Sequence, residues 1–567
     1  MTRLLSMQAL FRETPVNIPA ELEVKLTPEE DRLCTLLDEC KRDLGSRGTN
    51  VECRIAGGWV RDKLLGSQSD DIDIALANMM GVAFAEEFVS FLSSKDIPVR
   101  SIHKIERNPE QSKHLETAHT KVLGFEVDFV NLRSEEYTGD SRIPTEIKLG
   151  TPLEDALRRD VTFNALFYNV HTRAVEDFTE KGLDDLRNGI LRTPLPPKET
   201  FMDDPLRVLR CIRFASRYGF KLSEEVEEAA KDPQIQAAII SKISKERVGV
   251  EFEKMMSGRD PVQSMRLMTS LGLQTAVFAL PLAISSTLSQ EVSSKSLGLA
   301  ACVILRSILS SPSTLELPVP HPLLLSQLSV DPGLRQRLFF AAALSSYRDI
   351  KYKTPKGETR PAVEAIIREA LKRGQQNHFS DGIPAFFAAA EILRHPTIDN
   401  APGENERSEI GLLLRNKCSH NKHSGSHWSS SLLFSLVQEL TSLWNPETET
   451  FDAEAGANIV ETYNKLTRRI EELGLPESID EKPLLNGKEI ISALGASKSG
   501  PWLGSVLTSM EAWQLDHPGA SREDCEAWLI GQKDAGHIIV SSSSSSSKPT
   551  KKEKEADGPS SKKAKLA

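Results

Sequence analysis

The stretch "SDDIDIAL" (69–76) places three carboxylates, Asp70, Asp71 and Asp73, within four positions and interleaves them with Ile72 and Ile74. Alternate residues of a strand share a face, so Asp71 and Asp73 point one way while the two isoleucines point into a core. Two carboxylates side by side repel unless a cation lies between them. A hard divalent ion such as Mg²⁺, which prefers oxygen ligands, removes that repulsion. A dozen residues upstream stand Gly57 and Gly58, whose missing side chains let backbone N–H groups approach phosphate oxygens. "VRDKLLG" then opens a helix whose N-terminal end favours anions, with Arg61 and Lys63 close by to neutralise a triphosphate. Paired carboxylates beside a phosphate cradle read as a two-metal phosphoryl-transfer site, one ion activating an attacking hydroxyl and the other binding the triphosphate. A third carboxylate often completes such a pair. In "EVDFVNLR", Asp128 is the best placed, with Glu126 on the same strand face as the rival. The bland alternative is a Gly-Gly turn followed by an acidic strand edge.

The elements that must hold these residues are legible by periodicity. Residues 28–50 read as a helix, with Leu33, Leu36, Leu37 and Leu44 at helical spacing. "DIDIAL", "TKVLGF", "EVDFVNL" and "NALFYNV" read as strands, and "GVAFAEEFVSFLSS" as a helix between them. The mixture suggests one compact domain around a small sheet. After Pro205 the pattern turns helical: "PLRVLRCIRFASRYGF", "SEEVEEAAK" and "SKERVGVEFEKMM" follow one another, with Ser223 and Ser244 placed as N-caps. Helical segments continue to about residue 535, broken near 284–296, 311–321 and 446. The stretch from about 290 to 480 reads only as helical.

Composition narrows the class. The chain of 567 residues carries a formal net charge of -10, which argues against a general polyanion binder and leaves nucleic-acid contact to local basic patches. No run approaches the roughly 20 apolar residues of a membrane span. Seven cysteines are scattered without a C-x-x-C pair, as in reduced intracellular proteins. Cys418, His420, His423 and His427 cluster, but without a second ligand pair at zinc spacing they read as a polar loop. The opening "MTRLLSMQALFR" fits a mitochondrial presequence or an ordinary flexible terminus. The closing Ser/Lys-rich stretch reads as disordered; its "KKAKLA" fits a nuclear import signal or a solubilising tail. Cytoplasm, nucleus and mitochondrion are therefore all expected locations.

The carboxylate stretch resembles the signature of the DNA polymerase β-type nucleotidyltransferases, and the wider set resembles the eukaryotic class II CCA-adding enzymes, the tRNA nucleotidyltransferases. "RRDVTFNALFYN" (158–169) resembles the family's second motif, "DFTEKGLDDL" (177–186) the third, "DDPLRVLRCIRFA" (203–215) the fourth and "SKERVGVEFEKM" (244–255) the fifth. "NGKEIISALGASKSGPWLGSVLTSMEAW" (486–513) is similar to the family's C-terminal region. The resemblance implies Arg159, Asp160 and Asn164 on ribose and phosphates, a flexible joint at 177–186, and Asp204 with Arg207 reading the base. The chemistry of that pair is instructive. A carboxylate accepts from an exocyclic amine and a guanidinium donates to a ring nitrogen, a pattern that cytosine and adenine present and that uracil and guanine reverse. Mismatched buried polar groups cost ~1–3 kcal/mol each, so two mismatches reject strongly.

The fold class implied is α+β: a polymerase β-like head with a small mixed sheet, followed by an all-helical neck, body and tail. The expected boundaries are a flexible 1–27, a head at 28–200, a neck at 201–275, a tRNA-binding body and tail at 276–535 and a disordered 536–567. The expected reaction is template-independent transfer of CMP, CMP and AMP from CTP and ATP to tRNA, with Mg²⁺ on Asp71 and Asp73, Asp128 as third carboxylate, and no membrane or obligate protein partner. Two other readings share the pattern: a related poly(A) polymerase, whose bacterial form carries a basic signature missing here, and a non-catalytic RNA-binding protein on the same fold.

Overall fold

The computed structural model describes residues 4–6, 15–99, 102–105, 117–136, 146–292, 294–310, 313–374, 378–397, 403 and 405–540. Most of the presequence-like opening and the Ser/Lys-rich tail lie outside these residues. Within the opening, strand β1 (Leu4–Ser6) pairs antiparallel with Thr450–Asp452.

The head begins with helix α1 (Pro28–Ser46), started by a Thr27–Glu30 capping box. Strand β2 (Glu52–Ala56), helix α2 (Gly58–Leu64), strand β3 (Asp71–Ala77) and helix α3 (Gly81–Ser94) follow. Next come β4 (His103–Ile105), β5 (Thr117–Val122), β6 (Phe125–Asn131), β7 (Arg133–Glu136) and β8 (Glu146–Leu149). Helix α4 (Pro152–Leu157) leads into a 3₁₀ turn at Thr162–Asn164, then β9 (Phe167–Asn169) and β10 (Ala174–Glu176). One seven-stranded mixed sheet results, in the order β10-β9-β2-β3-β6-β5-β4, with β3 and β6 parallel and the other pairs antiparallel. Phe84 and Phe88 of α3 pack edge-on against Phe129 of β6 at 5.4 and 5.8 Å, closing the core over one face.

The expected strand "TKVLGF" straddles a hairpin. Leu123 and Gly124 both take positive φ, 53° and 96°, and turn β5 back into β6. In "NALFYNV" only Phe167–Asn169 is strand; Asn164 ends the preceding 3₁₀ turn, where its amide donates to Asp160.

Helix α5 (Gly182–Asn188), β11 (Ile190–Leu191), α6 (Pro197–Asp203) and α7 (Leu206–Tyr218) carry the chain out of the sheet, and β12 (Lys221–Leu222) pairs parallel with β11. Helices α8 (Glu224–Lys231), α9 (Pro233–Lys242), α10 (Lys245–Ser257) and α11 (Pro261–Ser270) follow. Ser223 and Ser244 occupy the N-cap positions with extended backbones, but neither side chain closes a cap bond. Beyond them the chain is mostly helical, as the α+β reading requires. It divides into two compact units. The first comprises residues 1–398 and 416–468. The second comprises 399–415 and 469–567, with its own core of Leu485, Ile490, Leu494, Val506, Met510, Cys525 and Leu529.

Candidate active site

Two rows of side chains cross the sheet. Asp73 of β3, Asp128 of β6 and His119 of β5 are register partners; so are Asp71, Glu126 and Lys121. Residues directly opposite project to one face, so four carboxylates and two basic groups share it. Ile72, Ile74, Val127 and Phe129 fill the opposite face, all at most 1% exposed. A slip of one residue would bury the aspartates, so the isoleucines hold the acids in place.

Within these rows Glu126 is engaged by Lys121 (2.8 Å) and His119 (3.0 Å), and Asp128 by His119 (2.6 Å). Among the described residues neither the Asp71 nor the Asp73 carboxylate has a hydrogen-bond or ion-pair partner. Asp73 is held above the usual carboxylate range by desolvation, then by the charges of Asp128 and Asp71, with only Arg159 opposing. No three acidic, histidine or cysteine side chains gather at metal-binding distance among the described residues. The donor set is therefore two unpartnered oxygen ligands on alternate strand positions. That fits a hard divalent cation whose other ligands come from water and substrate phosphates.

Beside Asp73 opens a cavity of about 760 Å³. Gly57, Gly58, Arg61, Arg159, Asp160, Asn164, Asp204 and Arg207 all line it with Asp73; Asp71 and Asp128 do not. Gly57 has φ 71°, and a Cβ there would meet an Arg159 guanidinium nitrogen at 2.7 Å. Glycine is thus required both for the backbone turn and for Arg159 to lie across it. Arg159 is aimed by buried Asp155 (2.9 Å to Nη2) and by the Asn164 carbonyl (3.1 Å to Nη1). Asp160 is 8% exposed, yet ionised: burial opposes its charge, but Arg210 at 2.6 Å and the Asn164 amide hold its carboxyl down at about 2.

Asp204 does not lie on a helix but in the break between α6 and α7. Its Oδ1 accepts from the Leu206 N–H (3.2 Å) and its Oδ2 from Arg247 Nη2 (3.1 Å). Arg207, the second residue of α7, donates from Nη2 to the Arg158 carbonyl (2.5 Å). Both side chains face the cavity with hydrogen-bonding capacity left, since each carboxylate oxygen accepts twice and a guanidinium donates five times.

Residues 53–192 match the family model of the poly A polymerase head domain, and residues 219–283 match that of the probable RNA and SrmB-binding site of polymerase A. The chain is 38% identical to the mitochondrial CCA tRNA nucleotidyltransferase of Saccharomyces cerevisiae, over 88% of its own length and 92% of the relative's. It is 36% identical to the enzyme of the same name in Candida glabrata, over 89% and 96%. The chain belongs to the CCA tRNA nucleotidyltransferase family. A solved CCA-adding enzyme shares the fold at 19% identity, with a TM-score of 0.57 over 94% of this chain and 100% of that one.

Family membership makes the departures from sequence expectation informative. Lys63 does not reach the cleft: it is 4% exposed and locked to Glu30 (2.6 Å) and Gln68 (2.7 Å). It stands two residues from Arg61 on α2, and residues so spaced face opposite ways. Arg61 lines the cavity, but its guanidinium is spent on Asp62 (2.8 Å) and Asn164 (2.5 Å) and lies over the Phe214 and Tyr218 rings, so it shapes the wall. The Gly57 N–H donates to the Leu166 carbonyl (3.1 Å) and is not free for phosphate; the Gly58 N–H, first in α2, has no intrahelical acceptor. Within the 177–186 segment Asp177 accepts from Thr179 and the Leu183 N–H, and buried Asp185 accepts from Thr162 (2.7 Å).

Among the cavity residues that sequence alone did not single out are Asp155, Arg210, Arg247 and Glu251. One signal was available. Arg207, Arg210, Arg213 and Arg217 recur every three or four residues on α7, on the face left by the apolar stripe. Glu251 of α10 braces that stripe through Arg213 (2.6 Å). The Cys418–His427 cluster serves turns instead. His427 caps the helix Trp428–Thr441, its Nδ1 accepting from the Ser429 N–H (3.2 Å).

Proposed function

We propose that this chain adds CCA to the 3′ end of tRNA by stepwise transfer of CMP, CMP and AMP from CTP and ATP, releasing pyrophosphate. The observation that carries the reading is the convergence of Asp73, Arg159, Asp160, Asn164, Asp204 and Arg207 on one cavity. Asp71 and Asp73 would hold a divalent cation such as Mg²⁺, which supplies positive charge to the triphosphate and lowers the pKa of the attacking hydroxyl. Arg159, aimed by Asp155, orients the phosphates. Asp160 and Asn164, fixed by Arg210 and Arg61, meet the ribose hydroxyls. Asp204 accepts the exocyclic amine of cytosine or adenine, while Arg207 donates to the ring nitrogen beside it. Arg247 and the Arg158 carbonyl keep both readers from turning toward uracil or guanine.

On this reading the sheet domain is the catalytic head, α6 to α11 the neck, and the helical remainder the grip on tRNA, through shape and phosphates rather than sequence. The names of the two fungal relatives support a mitochondrial form. Nuclear and cytoplasmic forms rest on the basic C-terminal stretch, which lies outside the described residues.

The discriminating experiment is incubation of a tRNA lacking its last three nucleotides with CTP alone. Addition of two residues and then arrest supports the reading. Extension only by ATP, in long tails, would assign the chain to poly(A) synthesis instead.

A further inference from the structure

Four carboxylates, Asp71, Asp73, Glu126 and Asp128, crowd one face of two parallel strands. On the neighbouring strand one ring touches two of them. His119 Nδ1 lies 2.6 Å from Asp128 Oδ1 and its Nε2 lies 3.0 Å from Glu126 Oε2. A carboxylate only accepts, so a ring touching two of them through both nitrogens donates through both and carries positive charge. Asp128, the first cause, accordingly raises the His119 pKa. The grip on Asp128 is through one oxygen: among the described residues Oδ2 has no protein partner. Lys121 secures Glu126 separately at 2.8 Å, so among the described residues Glu126 has a second anchor and Asp128 has none.

We propose that His119 is a positioning residue for the transfer centre, holding Asp128 beside Asp73 with one carboxylate oxygen left for chemistry. This rests on the reading of Asp128 as third carboxylate. Without the Nδ1–H contact, Asp128 is repelled by Asp73 and Glu126 and swings out of the row. Outer partners of this kind contribute ~10–100-fold to activity.

Side-chain amides separate the two contacts of the ring. The amide N–H of His119→Asn takes the place of Nδ1–H and reaches Asp128, whereas that of His119→Gln takes the place of Nε2–H and reaches Glu126. The test uses the full-length protein on trimmed tRNA, with CTP varied, for His119→Ala, His119→Asn, His119→Gln and Asp128→Asn. His119→Ala and His119→Gln are expected to lower kcat ~10–100-fold with KM nearly unchanged, and His119→Asn to restore kcat to within about threefold of the parent, with similar thermal midpoints throughout. A role limited to stability would move the midpoints and leave kcat in place, overturning the proposal. Equal kcat loss in all three His119 variants would overturn it too. Loss of kcat in Asp128→Asn beside full kcat in His119→Ala would overturn this inference alone. Full kcat in Asp128→Asn would remove the third-carboxylate reading and this inference with it.

Discussion

Asp73 is poorly suited to the folded chain without a counter-ion. Desolvation and two neighbouring carboxylates push its proton affinity up, and no protein cation pairs with it among the described residues. Asp73→Asn should therefore abolish nucleotide transfer while leaving the urea-unfolding midpoint equal to or above that of the parent, the usual signature of a group kept for function at a cost in stability. A lowered midpoint would mean that the carboxylate is structural. The base readers behave differently. Asp204→Ala leaves Arg247 and Arg207 facing an unfilled acceptor position, so CMP and AMP addition should fall while UMP and GMP incorporation rises relative to it, measured by sequencing product ends. Unchanged selectivity would remove the pocket. At this scale the acids were legible because strand alternation is a local rule. The pairings of Arg210 and Arg247 were not, because their partners Asp160 and Asp204 lie 50 and 43 residues away in the chain. Lys63 misled because closeness in sequence was equated with a shared face, whereas residues two apart on a helix point opposite ways.

Among elements, the β2–α2 turn is the most constrained. Gly57→Ala puts a methyl group into the Arg159 guanidinium at a φ that L-residues rarely adopt. Stability should drop by roughly 1–3 kcal/mol, with a larger loss of transfer because Arg159 is displaced. Equilibrium unfolding and a CTP-addition assay measure the two effects. A second joint links α1, β2 and the turn after β9. His171 Nε2 accepts from the Cys53 N–H (3.0 Å) and its Nδ1 donates to Asp38 (2.9 Å). Burial, the first cause, lowers the His171 pKa below its unfolded value. The unfolded chain therefore binds the proton first, and stability from this joint is full above about pH 6.5 and lost as the pH falls below it. His171→Gln should narrow the difference in unfolding midpoint between pH 7.5 and pH 5; an unaltered difference would mean that other groups set it. Helices α3 and α7 were readable because each carries one apolar face. The β5–β6 turn was not, because Leu123 at positive φ gives no compositional warning.

Over the whole molecule, the active site depends on a helix outside the sheet. Helix α10 carries Arg247 and Glu251, and its Gly249 approaches the Leu371 carbonyl so closely that a Cβ would lie 1.9 Å from it. Gly249→Ala should cost ~1–3 kcal/mol through overpacking and impair base selection as α10 shifts. A variant with parental unfolding and parental selectivity would show that α10 is not the brace. The helical region near 290–480 was legible only as helix, because such contacts join residues more than a hundred positions apart and leave no local pattern. One measurement decides whether paired carboxylates and a two-residue base reader on one cavity build CCA without a template. Purified protein is incubated with trimmed tRNA and all four nucleoside triphosphates, and the 3′ ends are sequenced. The parent should give ends in CCA and the Asp73→Asn variant no extension. Tails of adenosine, mixed additions, or extension by that variant would contradict this.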